Sequence, residues 1–385
     1  MTDSANKALL PTGLRDVLPP DATREAHAVD RLMSAFACHG YERVKPPLIE
    51  FEESLLDGPG AATATDTFRV MDPVSQRMMG LRADMTMQVA RIATSRLSHA
   101  PRPLRLAYAG QVLRVKGDQI RPERQFTQVG VELIGSDAPA ADAEVIILVA
   151  SALDGLGVEG VSVDLGLPSL VPTLCDDLDL SQDTRARLRA MLDQKDVTAV
   201  RGLGAEAAAL FGELIGCVGP ADEALARLRA LDLPRAAAGR RDRLEQVVRL
   251  VQAGAPGIGL TVDPVENRGF EYHTGVSFSL FAARARGELG RGGRYRAGVA
   301  REKATGASLF IDAVTDVLPP LPAPRRLLLA AADRGLAARF HAEGWVTVAV
   351  LDDGVDLEAE ARRLRCSHYT AQGAVKAVAP GSERG

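Results

Sequence analysis

The stretch LRVKGDQIRPERQFTQVGVELIG, residues 113–135, alternates in strand fashion on both sides of a polar, charged middle. Period-two alternation points successive side chains to opposite faces, so each flank is committed to a β-strand. Two such flanks around a polar segment make an antiparallel hairpin with a long loop. Arg114 opens it, Arg121 and Arg124 make the loop cationic, and Gln128, Val129, Val131, Glu132 and Leu133 lie on the return strand. An amide and a carboxylate facing a cationic loop can grip a small zwitterion, a nucleotide or nothing. Lys116, two residues after Arg114, needs its own explanation.

The 385-residue chain is long enough for two or three domains, and 46% hydrophobic residues supply a sizeable core. With 25% charged and 4% aromatic residues the class is ordinary globular. The net charge of −4 and the lack of any Lys/Arg block argue against a nucleic-acid groove. Cys38, Cys175, Cys217 and Cys366 are far apart and form no CxxC pair, and the six histidines are scattered. Neither a metal site nor a disulfide framework is expected, and a reducing compartment fits. The opening MTDSANKALLPTG has no apolar run of signal-peptide type, and no stretch reaches the roughly 18 apolar residues of a membrane span. A cytoplasmic protein without membrane contact is expected.

Along the chain, residues 21–40 have helical spacing, with Ala26, Val29, Leu32, Met33 and Phe36 on one face and Gly40 as the stop. The prolines of YERVKPPLIEFEE force an extended segment. TDTFRVMDPVSQRMMGLRADM reads as a hairpin turning at DPVSQ, and a helix runs from Asp84 through TMQVARIATSRL. DAEVIILVASALDGLG is a strongly apolar helix closed by glycine, followed by the strand VSVDLG. Residues 168–254, rich in Ala, Leu, Arg and Asp, read as a helical insertion. Strand-like sequence resumes at IGLTVDPV and GVSFSLFAA, so the sheet belongs to residues 1–167 and 255–320. Past the PPLPAP linker, residues 325–385 read as a small α/β appendage. The fold class is α+β, a mixed antiparallel sheet flanked by helices. GELGRGGRYRAG lacks the spacing and context of a dinucleotide loop, and its glycines read as turn residues. GxxxxGK[ST], GxSxG and HExxH motifs are missing as well.

Six segments, in order, resemble the class II histidyl-tRNA synthetase core: LPTGLRDVLPPDA, HGYERVKPPLIE (motif 1, with Pro47), GLRADMT, the opening hairpin (motif 2), NRGFEYHTG (the histidine signature) and GRGGRYRAG. They cover residues 11 to about 312. The resemblance implies a class II synthetase-like core and a pocket for free histidine, whose carboxylate, ammonium and imidazole must all find partners when buried. By motif position, Asp84, Thr86 and Gln128 would face the ammonium and Arg268 and Arg114 the carboxylate. Glu132 would accept from an imidazole N–H, with Tyr272 and His273 walling the ring. Asp84 stands where the family has glutamate, and His273 where it has tyrosine. Taken singly, each of these side chains also has a structural reading.

The resemblance stops at the ATP machinery. Motif 2 of the synthetases has a glutamate two residues after its arginine, against the adenine; here it is Lys116, and a cation cannot accept the adenine amino hydrogens. Motif 3 in this chain runs Gly306, Ala307, Ser308, Leu309, Phe310, Ile311, Asp312, Ala313. Phe310 replaces the second glycine and Ala313 the arginine that holds the γ-phosphate. Each lost electrostatic contact of this kind costs on the order of 10² to 10³ in rate. The pattern is similar to the synthetase paralogues that serve as regulatory subunits of ATP phosphoribosyltransferase. That resemblance implies a non-catalytic chain without cofactor. It implies a homodimer assembling with the short-form catalytic subunit in a hetero-octamer, required for the first step of histidine biosynthesis and mediating feedback by L-histidine. The alternatives are an active histidyl-tRNA synthetase and a synthetase-like paralogue that acts on tRNA or on protein.

Overall fold

The computed structural model describes residues 9–56, 63–117, 121–266, 272–298, 300–352 and 354–379. The chain divides into two compact units, Met1–Pro319 and Pro320–Gly385. In the first, helix α1 (Asp21–Cys38) is stopped by Gly40, whose φ of +79° only a residue without Cβ adopts freely. Its inward face is Ala28, Leu32, Met33 and Phe36; Ala26, expected on that face, is exposed instead. Strands β1 (Glu42–Arg43) and β2 (Ile49–Phe51) follow, then the short α2 (Glu52–Leu55). The hairpin β3 (Arg69–Met71) and β4 (Met78–Leu81) joins β2 in a three-stranded sheet. The Asp72 carboxylate closes its turn by accepting from the Val74 and Ser75 amides.

Helix α3 (Thr86–Thr94) leads to the ten-residue strands β5 (Leu104–Leu113) and β6 (Gln125–Ile134), which pair antiparallel along their whole length. They start a nine-stranded sheet completed by β7 (Ser162–Gly166), β8 (Gly219–Pro220), β9 (Gly259–Asp263), β10 (Ser277–Phe281), β11 (Gly290–Ala297) and β12 (Glu302–Phe310). The order is β1-β5-β6-β12-β11-β10-β7-β9-β8, antiparallel except for β1–β5 and β7–β9. The glycine-rich GRGGRYRA is therefore a full strand and not a turn. Its glycines are there because strand β12 lies close: a Cβ on Gly290 or Gly292 would come within 2.3 Å of a β12 carbonyl.

Alternation gives the sheet two distinct faces. Val129, Val131 and Leu133 of β6 pack with α1 and helix α4 (Pro139–Gly155) in the main core. Phe126 and Ile134, with Leu106 and Tyr108 of β5 and Tyr295 of β11, pack with α3 on the other face. Helix α4 is buried nearly all round, with Val145, Ile146, Val149 and Leu153 fully enclosed, as expected of a helix without a polar face. Residues 168–254 form α5 (Leu170–Asp177), α6 (Gln182–Asp193), α7 (Val197–Val200), α8 (Ala205–Ile215), α9 (Ala221–Ala230) and α10 (Arg235–Gly254), with β8 among them. Their Leu188, Phe211 and Leu244 belong to the same continuous core as α4, and β8 pairs with β9. Helix α11 (Ile311–Val317) ends the unit.

The second unit is a four-stranded sheet in the order β14-β13-β15-β16, from β13 (Arg326–Leu329), β14 (Val346–Ala349), β15 (His368–Ala371) and β16 (Ala374–Ala377), with helices α12 (Ala337–Ala342) and α13 (Leu357–Arg363). Strand β15 was not evident in the sequence. It is four residues long and lies within the polar run CSHYTAQG.

A buried ion pair ties α4 to the sheet: Arg294 of β11 donates to Asp142 in the first turn of α4, with both side chains at least 95% buried. Arg294 also donates to the Ser136 carbonyl, just before α4, at 2.7 Å. Removing one member strands the other charge, so Asp142→Ala should destabilise the fold by about 3–5 kcal/mol. Denaturant titration of the variant against the wild type measures this.

Candidate functional site

The carboxyl of Glu132 lies at the centre of a fully enclosed polar cluster. The Tyr295 hydroxyl donates to its Oε2 at 2.8 Å and the Tyr108 hydroxyl to its Oε1 at 3.2 Å. Ser308 Oγ and Thr86 Oγ1 lie 2.9 and 3.2 Å from the Tyr108 oxygen and can donate to it. These side chains come from β5, β6, β11, β12 and the start of α3, and all share the face opposite α4. Two glycines make the room. A Cβ at Gly306 would sit 1.9 Å from Glu132 Oε2, and one at Gly130 would sit 2.4 Å from the Tyr108 hydroxyl.

Gln128 stands one turn of the pleat away and is saturated. Its Nε2 donates to Asp84 Oδ2 and to Ser308 Oγ, both at 2.7 Å, and its Oε1 accepts from the Met85 amide at 2.8 Å. Asp84 folds back to accept from the Thr86 amide at 2.7 Å, satisfying one of the helix-start N–H groups. Asp84 and Gln128 therefore brace the wall that Thr86 and Ser308 line. The cavity in front of that wall is tight, about 10 Å³, and is bounded by Thr86, Glu132, Tyr272, His273, Arg291 and Tyr295. The Tyr272 and His273 rings are stacked with centroids 4.1 Å apart, and Tyr272 meets Tyr295 edge-on at 6.2 Å. His273 fits because Gly293 has no side chain: a Cβ there would come within 2.5 Å of its ring.

Of the residues expected at the site, Asp84, Thr86, Gln128, Glu132, Tyr272 and His273 come together around this cavity. Arg268 lies outside the described residues. Arg114 is not on the cavity wall; its guanidinium lies 5.0 Å from the Phe126 ring centre. A different arginine is on the wall: Arg291, which also donates to Glu288 at 3.0 Å. Tyr108, Ser308, Arg291 and Tyr295 escaped sequence reasoning. The alternation of LRLAYAG could have placed Tyr108 beside Glu132, because opposite strand positions share a face. Arg291 and Tyr295 were hidden by reading their segment as a turn.

Burial pushes the Glu132 carboxyl up to about 8; the hydrogen bond from Tyr295 opposes the rise, the charge of Asp84 adds to it, and the contact with Tyr108 opposes it. The carboxyl is therefore mainly neutral at pH 7 and offers an O–H as well as acceptor oxygen. Tyr108, Tyr272 and Tyr295 are all raised, first by burial and then by the neighbouring carboxylates, and remain protonated.

Beyond Gln128 the same face changes character. Phe310 packs edge-on against Phe126 with centroids 5.8 Å apart. The Arg121 guanidinium lies 3.8 Å over Phe310 and donates to Glu288 at 2.8 Å. The neighbouring cavity, about 550 Å³, is lined by Arg15, Arg121, Arg284 and Arg286 and by an equal number of carboxylates, Glu123, Glu288, Asp312 and Asp316.

Residues 13–314 match the sequence pattern of the histidyl-tRNA synthetase family. The fold agrees. A histidyl-tRNA synthetase from a Nostoc species, 16% identical, superposes with a TM-score of 0.80 over 95% of this chain and 92% of its own. A Bacillus halodurans protein described as an ATP phosphoribosyltransferase regulatory subunit/histidyl-tRNA synthetase, 26% identical, superposes with a TM-score of 0.81 over 92% of this chain and 96% of its own. The class is thus a histidyl-tRNA synthetase-like protein. Two curated relatives narrow it, both named ATP phosphoribosyltransferase regulatory subunit. That of Paramagnetospirillum magneticum is 62% identical over 96% of this chain and 97% of its own length. That of Rhodospirillum centenum is 56% identical over 98% and 99%. The chain belongs to the family of ATP phosphoribosyltransferase regulatory subunits.

Because the folded state holds the Glu132 proton more tightly than the unfolded chain, its contribution to stability is complete below about 4.5 and is lost as pH rises through about 8. Urea unfolding across that window should show stability falling by up to about 1.4 kcal/mol per pH unit. Glu132→Gln, which cannot titrate, should lack this component.

Proposed function

We propose that this chain binds free histidine in the Glu132 cavity, performs no adenylation, and acts as the regulatory partner of a separate short-form ATP phosphoribosyltransferase catalytic chain. The observation that carries the reading is the contrast between two neighbouring cavities on one sheet face. One presents a buried carboxyl, tyrosine hydroxyls and an arginine around a single small recess. The other, where a synthetase would hold ATP, is charge-balanced and has Phe310 and Ala313 at positions that contact phosphate in the family. A triphosphate needs a surplus of positive charge and preorganised donors. Four arginines and four carboxylates on one wall leave no surplus of positive charge among the described lining residues. Lys116 is exposed and cannot accept from an adenine amino group.

In this reading Glu132 shares one proton with the imidazole of the ligand, and Tyr272 and His273 wall the ring. Arg268, assigned by its motif alone, and Arg291 face the carboxylate, while Thr86 is nearest the ammonium, with Asp84 and Gln128 behind it as braces that hold it in place. Arg114 takes no part in the pocket. The chain itself would be a homodimer that joins catalytic chains in a hetero-octamer. Feedback then requires histidine to favour one assembly state over another, and a coupling of about 1–3 kcal/mol is sufficient.

Calorimetric titration should give saturable histidine binding in the wild type, which Glu132→Ala removes, and no histidine-dependent ATP–pyrophosphate exchange. A wild type that binds no histidine, or that forms adenylate at a useful rate, overturns the reading. Activity assays with the cognate catalytic chain test the partnership: rescue of an otherwise inactive transferase is expected.

The shared proton also fixes a pH dependence. One proton between two groups is available without exchange with solvent only between the imidazole value of about 6.5 and the Glu132 value of about 8. Histidine affinity should therefore be greatest in that window. It should weaken up to about tenfold per pH unit on either side, and the alkaline limb should vanish in Glu132→Gln.

A further inference from the structure

On the opposite face of the sheet, at the start of α4, lies a second cavity of about 200 Å³. Its wall carries Arg240 and Arg243 of α10, Arg294 and Arg296 of β11, and Lys303 of β12. Their carboxylate partners are Asp137, which pairs with Arg243, Arg294 and Lys303, and Asp142, which pairs with Arg243 and Arg294. Among the described residues, five cations stand against two carboxylates, a surplus of three positive charges.

The hydrogen bonding is incomplete as well. Arg240 donates from Nη1 to Ser169 Oγ at 2.8 Å, but its Nε is buried without an acceptor, and so is the Nε of Arg243. Buried guanidinium N–H groups without acceptors are costly, and two of them three residues apart on one helix face the same side. Arg296 makes only a 3.5 Å contact with the Arg301 carbonyl. The charge-balanced cavity on the other face shows that arginines in this protein can be matched by carboxylates one for one. Here they are not.

We propose that this cavity is a binding site for a small phosphate-bearing anion, distinct from the histidine pocket. Guanidinium groups suit phosphate because each offers paired donors to two oxygens. Three surplus charges match a di-anionic to tri-anionic group. A recess of about 200 Å³ suits a group no larger than a phosphate or pyrophosphate and is not an open groove of the kind that tracks a nucleic-acid backbone. Arg240 and Arg296 are the recognition residues, having the fewest commitments within the fold. Arg294 and Arg243 are held by Asp142 and serve both the fold and the ligand.

Inorganic pyrophosphate is the probe. Titration of the full chain at about 0.15 M salt, an ionic strength that screens only exposed charges over distance, should show saturable binding at one site per chain. The double substitution Arg240→Ala/Arg296→Ala should weaken it about a hundredfold, at roughly tenfold for each lost charge-assisted contact. The unliganded melting temperature and histidine binding should be unchanged in that variant, and each single substitution should give an intermediate loss. A wild type that gives no saturable heat, or a double variant that binds pyrophosphate as the wild type does, overturns the proposal. So does a short single-stranded oligonucleotide that binds through Arg240 and Arg296 while pyrophosphate does not. Histidine titration is read separately, so either site can fail alone.

Discussion

A carboxyl group sealed from water constrains its surroundings more tightly than any apolar side chain does. Glu132 can be buried only if its oxygens meet donors and nothing crowds them. Tyr108 and Tyr295 supply the donors, Gly306 the space, and all three are fixed by strand register. Glu132 pairs across the sheet with Leu106 on β5 and with Gly306 on β12. A slip of one residue in either ladder would turn Glu132 toward α4 and place Val131 or Leu133 among the polar groups. The four central strands therefore admit one pairing, and the cavity in front of Glu132 is a consequence of that pairing.

The same alternation explains why charge can be used differently on the two faces. Strand β11 sends Arg291 and Tyr295 to the Glu132 cavity and Arg294 to Asp142 on α4. Its extended backbone separates a neutral-to-anionic recess from a cationic one. Arg294 is fastened on three sides, by Asp142 and by the carbonyls of Ser136 and Ala138. It helps anchor β11 to the first turn of α4. The position of Arg291 on the other side of the strand is set by that anchor.

Much of this was legible in residue order, and the parts that were not share a cause. Strong periodicity was reliable: the β5–β6 hairpin, α1 with its Gly40 stop, the DPVSQ turn and the all-apolar α4 each follow from a local pattern that packing reinforces. The six pocket residues that came together were assigned by motif position, and the geometry adds that Gln128 and Asp84 are braces behind Thr86 and Ser308. What failed was composition read without partners. GRGGRYRA looks like turn chemistry until β12 is placed against it, because its glycines answer a neighbouring strand and not a local bend. Arg114, assigned to the carboxylate by motif position, is not among the side chains that bound the cavity; its guanidinium lies 5.0 Å from the Phe126 ring centre. On α1 only Ala26 was placed on the wrong face, because alanine, small on either side, carries little directional signal.

For a histidine pocket to influence a second chain, occupancy has to change the relative free energy of two arrangements, and a rigid ladder cannot do this by bending continuously. The sheet supplies a discrete alternative. Arg291 is engaged with Glu288, which also holds Arg121, whose guanidinium covers Phe310. In the proposed reading, a ligand carboxylate in the cavity would compete with Glu288 for Arg291, and Glu288 released from Arg291 would bind Arg121 more fully. The arginine–aromatic stack on Phe310 and Phe126 would then tighten. Residues 275–298 contain both Arg291 and Glu288, so the segment that follows the histidine signature would link the pocket to the charge-balanced cavity. The two states would differ in which cation Glu288 serves, a switch made of side chains already in contact.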